Sequence, residues 1–216
     1  MPILEAGFDL ILPDLRGFGP SGAIQAQNLL TDMAADNAAL LDFLTVKTAA
    51  IAGHSMGSQG ALAGARDYPA RLRGRGLVAS QVIADPPDKK AAHFEMAERV
   101  EANGVGEVAE SMPALLSADA DLQAALKQLI LRQPKEGMAG ARRTMADRPD
   151  STDILPTFDC SVTSIHGLTN KIVPIERAHE VRSWVKKGYL VEIEGVGHMP
   201  MMEAPQVTVE ALRTLH

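Results

Sequence analysis

Five residues constrain the fold more than any others: Gly53-His54-Ser55-Met56-Gly57. A short apolar run, Thr48-Ala49-Ala50-Ile51-Ala52, enters them, and a helical pattern over 56–68 leaves them, ending at Tyr68-Pro69. A strand that turns at once into a helix brings the two backbones close together. Glycines two residues either side of the turn remove side chains that would collide there. The serine then stands on a strained turn with its hydroxyl above the sheet, beside the free N–H groups of a helix start. Gly57, Gly60, Ala61, Gly64 and Ala65 recur every three or four residues, a stripe that lets the helix lie close to a sheet. The plainer alternative is a tight glycine-rich turn with an incidental serine.

The rest of the chain repeats the strand-and-helix alternation. Phe8-Asp9-Leu10-Ile11-Leu12 reads as a strand stopped by Pro13-Asp14, and 31–44 as a helix with Thr31 as its cap. Further strands are expected at Gly76–Ser80, Ser161–His166 and Tyr189–Ile193. Such alternation implies βα units on a mostly parallel sheet, an α/β fold. Residues 86–150 differ: Pro86-Pro87 opens them, no strand signal follows, and Leu122, Ala125, Leu126, Leu129 and Ile130 form a helical apolar face. The expected organisation is a first part of the core over 1–85, a helical cap insertion over 86–150 and a second part of the core over 151–216.

Composition removes several function classes. The charge balance is 21 minus 27, or −6, so no basic surplus points to nucleic acid or anionic lipid. Cys160 is the single cysteine, which excludes an internal disulfide and a metal cluster built on paired cysteines. No apolar run approaches the roughly 20 residues that span a bilayer, and the start carries no basic, apolar leader. The expectation is a cytoplasmic chain with no membrane and no nucleic acid among its partners. Gly17-Phe18-Gly19-Pro20-Ser21-Gly22 fits the spacing of a dinucleotide fingerprint. Pro20 interrupts the turn, however, and Asp36 and Asp42 fall inside a helical pattern instead of ending a second strand. No cofactor and no metal are expected.

Four segments, in order, resemble the α/β-hydrolase family in its branch with a helical cap. Asp14-Leu15-Arg16-Gly17-Phe18-Gly19-Pro20-Ser21 resembles the segment after the family's fourth strand, and Gly53–Gly57 its nucleophile elbow. His166-Gly167-Leu168-Thr169-Asn170-Lys171-Ile172-Val173-Pro174 resembles the loop that carries the acid. Gly195-Val196-Gly197-His198-Met199-Pro200-Met201-Met202-Glu203-Ala204-Pro205 resembles the histidine loop and the helix after it. The resemblance implies Ser55 as nucleophile and the Met56 N–H as an oxyanion donor. A serine there disfavours relatives with an aspartate nucleophile.

Ser55 needs a base, and His198 is the best of six histidines because it follows a strand in a glycine-flanked loop at the same end of the sheet. His54 is expected to point away in a structural role, His93 to sit on a cap helix and His166 to stand behind the acid loop; His179 and His216 offer no signal. Asn170 stands where the family has aspartate. An amide oxygen can orient an imidazole, but it lacks the charge that stabilises imidazolium, and its NH₂ can favour the wrong tautomer. In serine proteases this exchange costs about 10⁴ in turnover. Asp85, four residues beyond Gln81, and Glu194 are other carboxylates near the strand ends; Asn170 is the expected orienting group.

The resemblance also implies that the chain is N-terminally truncated, or a fragment of a longer protein. The family has three strands and a helix before the strand read here at 8–12, and the loop after its third strand supplies a second oxyanion donor. Losing one such donor costs about 10²–10³ in rate. Residues 8–12 must then pair with 48–52, leave the sheet, or meet a strand of another copy, so a homo-oligomer is expected. The function implied is a serine hydrolase, carboxylesterase-like, that cleaves small apolar esters through an acyl-enzyme with impaired activity. The alternative is a catalytically degenerate hydrolase-fold binding protein. Met56, Met199, Met201 and Met202 could line an acyl pocket or fill core gaps.

Overall fold

The computed structural model describes residues 7–22 and 29–215. Four strands, β1 (Ala49–His54), β2 (Leu72–Val78), β3 (Ser161–Gly167) and β4 (Gly188–Ile193), form one sheet in that order. Every neighbouring pair is parallel. The register sets His54 beside Val78, Val78 beside Ile165 and Gly167 beside Ile193. All four carboxyl ends therefore meet one rim, and whatever follows residues 54, 78, 167 and 193 gathers there.

Alternation along the strands splits the core into two faces. Leu77 and Val162 point to one face, where they meet Leu62 and Ala65 of α2 (Met56–Asp67), with Leu155 and Phe158. Val78 and Ile165 point to the other, against Ile193, Val196 and Ala211. Fully burying a side chain such as Leu62 or Ile165 contributes roughly 1.5–3 kcal/mol. Before the sheet lies α1 (Leu30–Phe43), which packs on α2, with Met33 beside Gly60.

Two expectations need correction here. Residues 8–12 form no strand; the segment leaves the sheet, Leu12 is 64% exposed, and β1 is an edge of the described sheet. An apolar run specifies extended backbone but not a pairing partner. Thr31 is not the cap of α1: it lies inside the helix, and the Leu29 N–H donates to Asp32 Oδ2 at 2.9 Å instead. The loop over 14–22 is anchored on α1 by Arg16, whose guanidinium pairs with Asp36 at 2.7 Å and Asp32 at 3.3 Å.

β2 begins four residues earlier than expected. Leu72-Arg73-Gly74-Arg75-Gly76 shows no apolar alternation because the end of the last described helix and the residues after it press on it: a Cβ on Gly76 would lie 3.0 Å from Leu215 and 3.1 Å from Leu212. Between β2 and β3 the described elements are helical. They are α3 (Pro87–Asn103), α4 (Gly106–Ser111), α5 (Pro113–Leu116), α6 (Ala120–Leu131) and α7 (Lys135–Ala146), with a short 3-10 helix over Thr152–Thr157 before β3. Ala97, Val100, Val108, Ala109, Ile130 and Ala139 give this cap a small core of its own. After the cap come α8 (Glu176–Trp184), α9 (Pro200–Glu203) and α10 (Pro205–Leu212). No helix among the described residues is long and apolar enough to cross a membrane.

Candidate active site

β1 ends at His54 and α2 begins at Met56, so Ser55 alone makes the turn, with φ 50° and ψ −113°. A non-glycine residue held there costs of order 1–3 kcal/mol and persists only where the surroundings enforce it. The enforcement is visible. The Ser55 N–H donates to Val78 O at 2.9 Å, Ser58 N–H to Ser55 O at 3.0 Å and Ser58 Oγ to Gly53 O at 2.5 Å. Behind the turn, Gln59 Nε2 donates to Ser80 Oγ and to Gln81 O. A Cβ on Gly53 would land on the Gly57 carbonyl, so glycine is required at 53. At Gly57 a Cβ would meet nothing within 4 Å; that residue matters as the backbone Gly53 approaches, which corrects the symmetrical expectation. The first N–H groups of α2, Met56 among them, lie outside the helical ladder.

His198 reaches the same rim from the loop after β4. It is 2% exposed and fixed on both sides of its backbone. Its N–H donates to Leu116 O of the cap at 2.8 Å, and its carbonyl accepts from His54 Nε2 at 2.7 Å. The His54 and His198 rings meet edge-on with centroids 4.8 Å apart, so residues 54 and 198 are brought together across the rim. Ser55 Oγ is half-buried and makes no hydrogen bond among the described residues; such contacts are often long before substrate binds.

Asn170 Oδ1 lies 3.1 Å from His198 Nδ1. The same oxygen accepts the N–H groups of Ile172 at 3.0 Å and Val173 at 3.1 Å. Turning the amide over would set NH₂ against two N–H donors, so the network fixes the oxygen toward the histidine. His198 Nδ1 must then carry the proton, which leaves Nε2 bare. The other side of the amide is less comfortable. His166 Nε2 donates to Val173 O at 2.9 Å, and Asn170 Nδ2 faces that same nitrogen at 3.3 Å, donor against donor. A second acceptor would fit that place better.

With no carboxylate beside it, His198 is pushed down to about 3, by burial first and then by the charges of His54 and His166. Burial likewise lowers His54 and His166. Asp85 lies elsewhere: it is buried, its Oδ1 pairs with Arg148 at 2.6 Å, and its Oδ2 stands 3.4 Å from His93 on α3. Glu194 is exposed, and His179 pairs on the surface with Glu192. His216 lies outside the described residues. Met56 and Met199 are half-buried at the site, whereas Met201 packs into the core and Met202 is exposed.

One residue escaped the sequence reading. Glu203 accepts the N–H groups of Gly197 at 3.1 Å and Met199 at 3.0 Å, on either side of His198, and the Ser117 hydroxyl at 2.9 Å. A single carboxylate thus ties the histidine loop to the cap. The signal available was its place five residues after His198, just before Ala204-Pro205. Among the described residues, no group of three His, Cys, Asp or Glu side chains could hold a metal ion.

Residues 2–211 match the model of the alpha/beta hydrolase family. The chain belongs to that family. This alpha/beta hydrolase is 36% identical to a thermophilic esterase from Thermogutta terrifontis, solved with malate bound. The likeness covers 93% of this chain and 76% of that one, with a TM-score of 0.89. A hydrolase from Pseudomonas aeruginosa is 20% identical, over 94% of this chain and 77% of that one, with a TM-score of 0.84. An enol-lactonase from Burkholderia xenovorans is 19% identical, over 94% and 78%, with a TM-score of 0.83. At those identities the latter two establish the shared fold alone. A search of curated proteins gave no match.

Proposed function

We propose that this alpha/beta hydrolase is a serine hydrolase that cleaves small, apolar carboxylic esters through an acyl-enzyme, at a reduced rate. Family membership and the Thermogutta esterase support hydrolase chemistry in general. The observation that carries the serine mechanism is the Asn170 amide locked by Ile172 and Val173, which leaves His198 Nε2 unprotonated.

Ser55 Oγ attacks the ester carbonyl and gives its proton to His198 Nε2. The Met56 N–H, at the start of α2, stabilises the oxyanion. His198 returns the proton to the leaving alkoxide, and the alcohol departs. Water then attacks the acyl-serine, with His198 as base again, and releases the acid. Asn170 is a positioning residue that holds the tautomer but offers imidazolium no charge, hence the reduced rate. The unit over 86–150 serves as the cap and shapes the acyl site, copies associate through β1, and the protein works in the cytoplasm.

Labelling with a fluorophosphonate probe, alongside hydrolysis of a short-chain p-nitrophenyl ester, tests this reading. Ser55 should be modified, and Ser55→Ala should lose both label and turnover. The uncharged Asn170 favours one second reading, a degenerate protein that binds a ligand without turnover. No label on Ser55 and a rate equal to the blank would leave that reading in place.

A further inference from the structure

Arg75, within β2, is 4% exposed. Its guanidinium lies 3.9 Å over the Phe158 ring, and Nη1 hydrogen-bonds Cys160 Sγ. Nε is buried with no hydrogen-bond partner, and no carboxylate among the described residues forms an ion pair with Arg75. Asp159, next to the cysteine, is paired with Lys186 at 2.9 Å, with Lys187 nearby. Cys160 is a free, half-exposed thiol. Together with Arg73, Phe158, Asp159 and Thr157, Arg75 and Cys160 line an open cavity of about 470 Å³. Cys160 immediately precedes β3, so this cavity lies toward the amino ends of the strands, opposite the rim that holds Ser55.

A buried cation with no anion beside it carries a large uncompensated desolvation cost. Arginine does not shed its proton at ordinary pH. The group touching it is the Cys160 sulfur, and the open cavity leaves both that sulfur and the guanidinium within reach of an anionic ligand. We propose that Cys160, beside the uncompensated Arg75 guanidinium, is a modification site for small anionic disulfides of the glutathione class. The Cys160 sulfur, giving up its proton to water, attacks one sulfur of the disulfide and forms a new S–S bond. The old S–S bond breaks, its electron pair leaves on the departing thiolate, and that thiolate takes a proton from water. Cys160 is oxidised and half of the disulfide is reduced. Arg73 at the rim of the cavity, with Arg75 below, suits the carboxylates such a disulfide carries.

The test is intact-mass analysis of the native protein after exposure to oxidised glutathione and, in parallel, to cystamine, a cationic disulfide. The wild type should take up one glutathione per chain, faster than it takes up cystamine, and Cys160→Ser should take up neither. Arg75→Met should abolish the preference for glutathione, while Arg75→Lys keeps most of it. Equal or faster uptake of cystamine by the wild type, or an adduct that forms only after unfolding, overturns the proposal. Those two readouts decide even if Arg75→Met fails to fold, and neither depends on Ser55.

Discussion

Asn170→Asp should make this alpha/beta hydrolase faster. The replacement is nearly isosteric, and a carboxylate oxygen can accept the same Ile172 and Val173 N–H groups while facing His198 Nδ1. The second oxygen then meets His166 Nε2 in place of the opposed NH₂. His198 stands at about 3, some 3.5 units below an ordinary histidine, so forming imidazolium costs up to about 5 kcal/mol more than in water. An adjacent carboxylate shifts such a group by about 1–3 units toward the charged form. That is about 10- to 10³-fold in turnover, less than the about 10⁴ lost in serine proteases, where the wrong tautomer adds to the lost charge. The pH profile supplies a second readout. The wild type should show no acid limb between pH 5 and 8, because its base is already neutral there. Asn170→Asp should acquire one nearer the ordinary histidine value. Steady-state p-nitrophenyl butyrate hydrolysis from pH 5 to 9, with circular dichroism to check the fold, measures both. No gain, no acid limb and loss of activity in Asp85→Asn would refute the reasoning.

Three further outcomes follow from the same contacts. Glu203→Gln removes charge from the acceptor of Gly197, Met199 and Ser117. It should cost about 1–3 kcal/mol in urea unfolding and lower kcat more than it raises KM. His54, His166 and His198 are all lowered in the folded state. The unfolded chain therefore binds more protons below about pH 6.5, and stability present above that value is lost as pH falls, by up to about 1.4 kcal/mol per unit for each such histidine; a urea midpoint that stays flat from pH 7.5 to 5 contradicts this. Among the described residues β1 is an edge strand, so light scattering at micromolar concentration should give a dimer or larger species, and a monodisperse monomer would count against association.

What could be read from the sequence was local. The strand-to-helix turn at Ser55 was legible because Gly53 and the small residues of α2 are demanded by backbone approach within one βα unit. The start of β2 was not, because Gly74 and Gly76 answer to Leu212 and Leu215, more than 130 positions away. Asn170 was legible by its place in the chain order. Its orientation was not, since that depends on how two following amides fold back onto the side chain. Glu203 and His54 act on the backbone around His198 through loops that only the packed rim brings together. The strand read at 8–12 failed because apolar character says nothing about whether a neighbour is present to pair.

The proposed mechanism requires Ser55 Oγ to be the atom that takes the acyl group. Acid-quenched protein after brief exposure to p-nitrophenyl acetate, mapped by peptide mass spectrometry, tests this most directly. Acetyl on the Ser55 peptide of the wild type, none in Ser55→Ala and little in His198→Gln is the predicted result. Ester turnover that continues with the acyl group elsewhere, or nowhere, would contradict it.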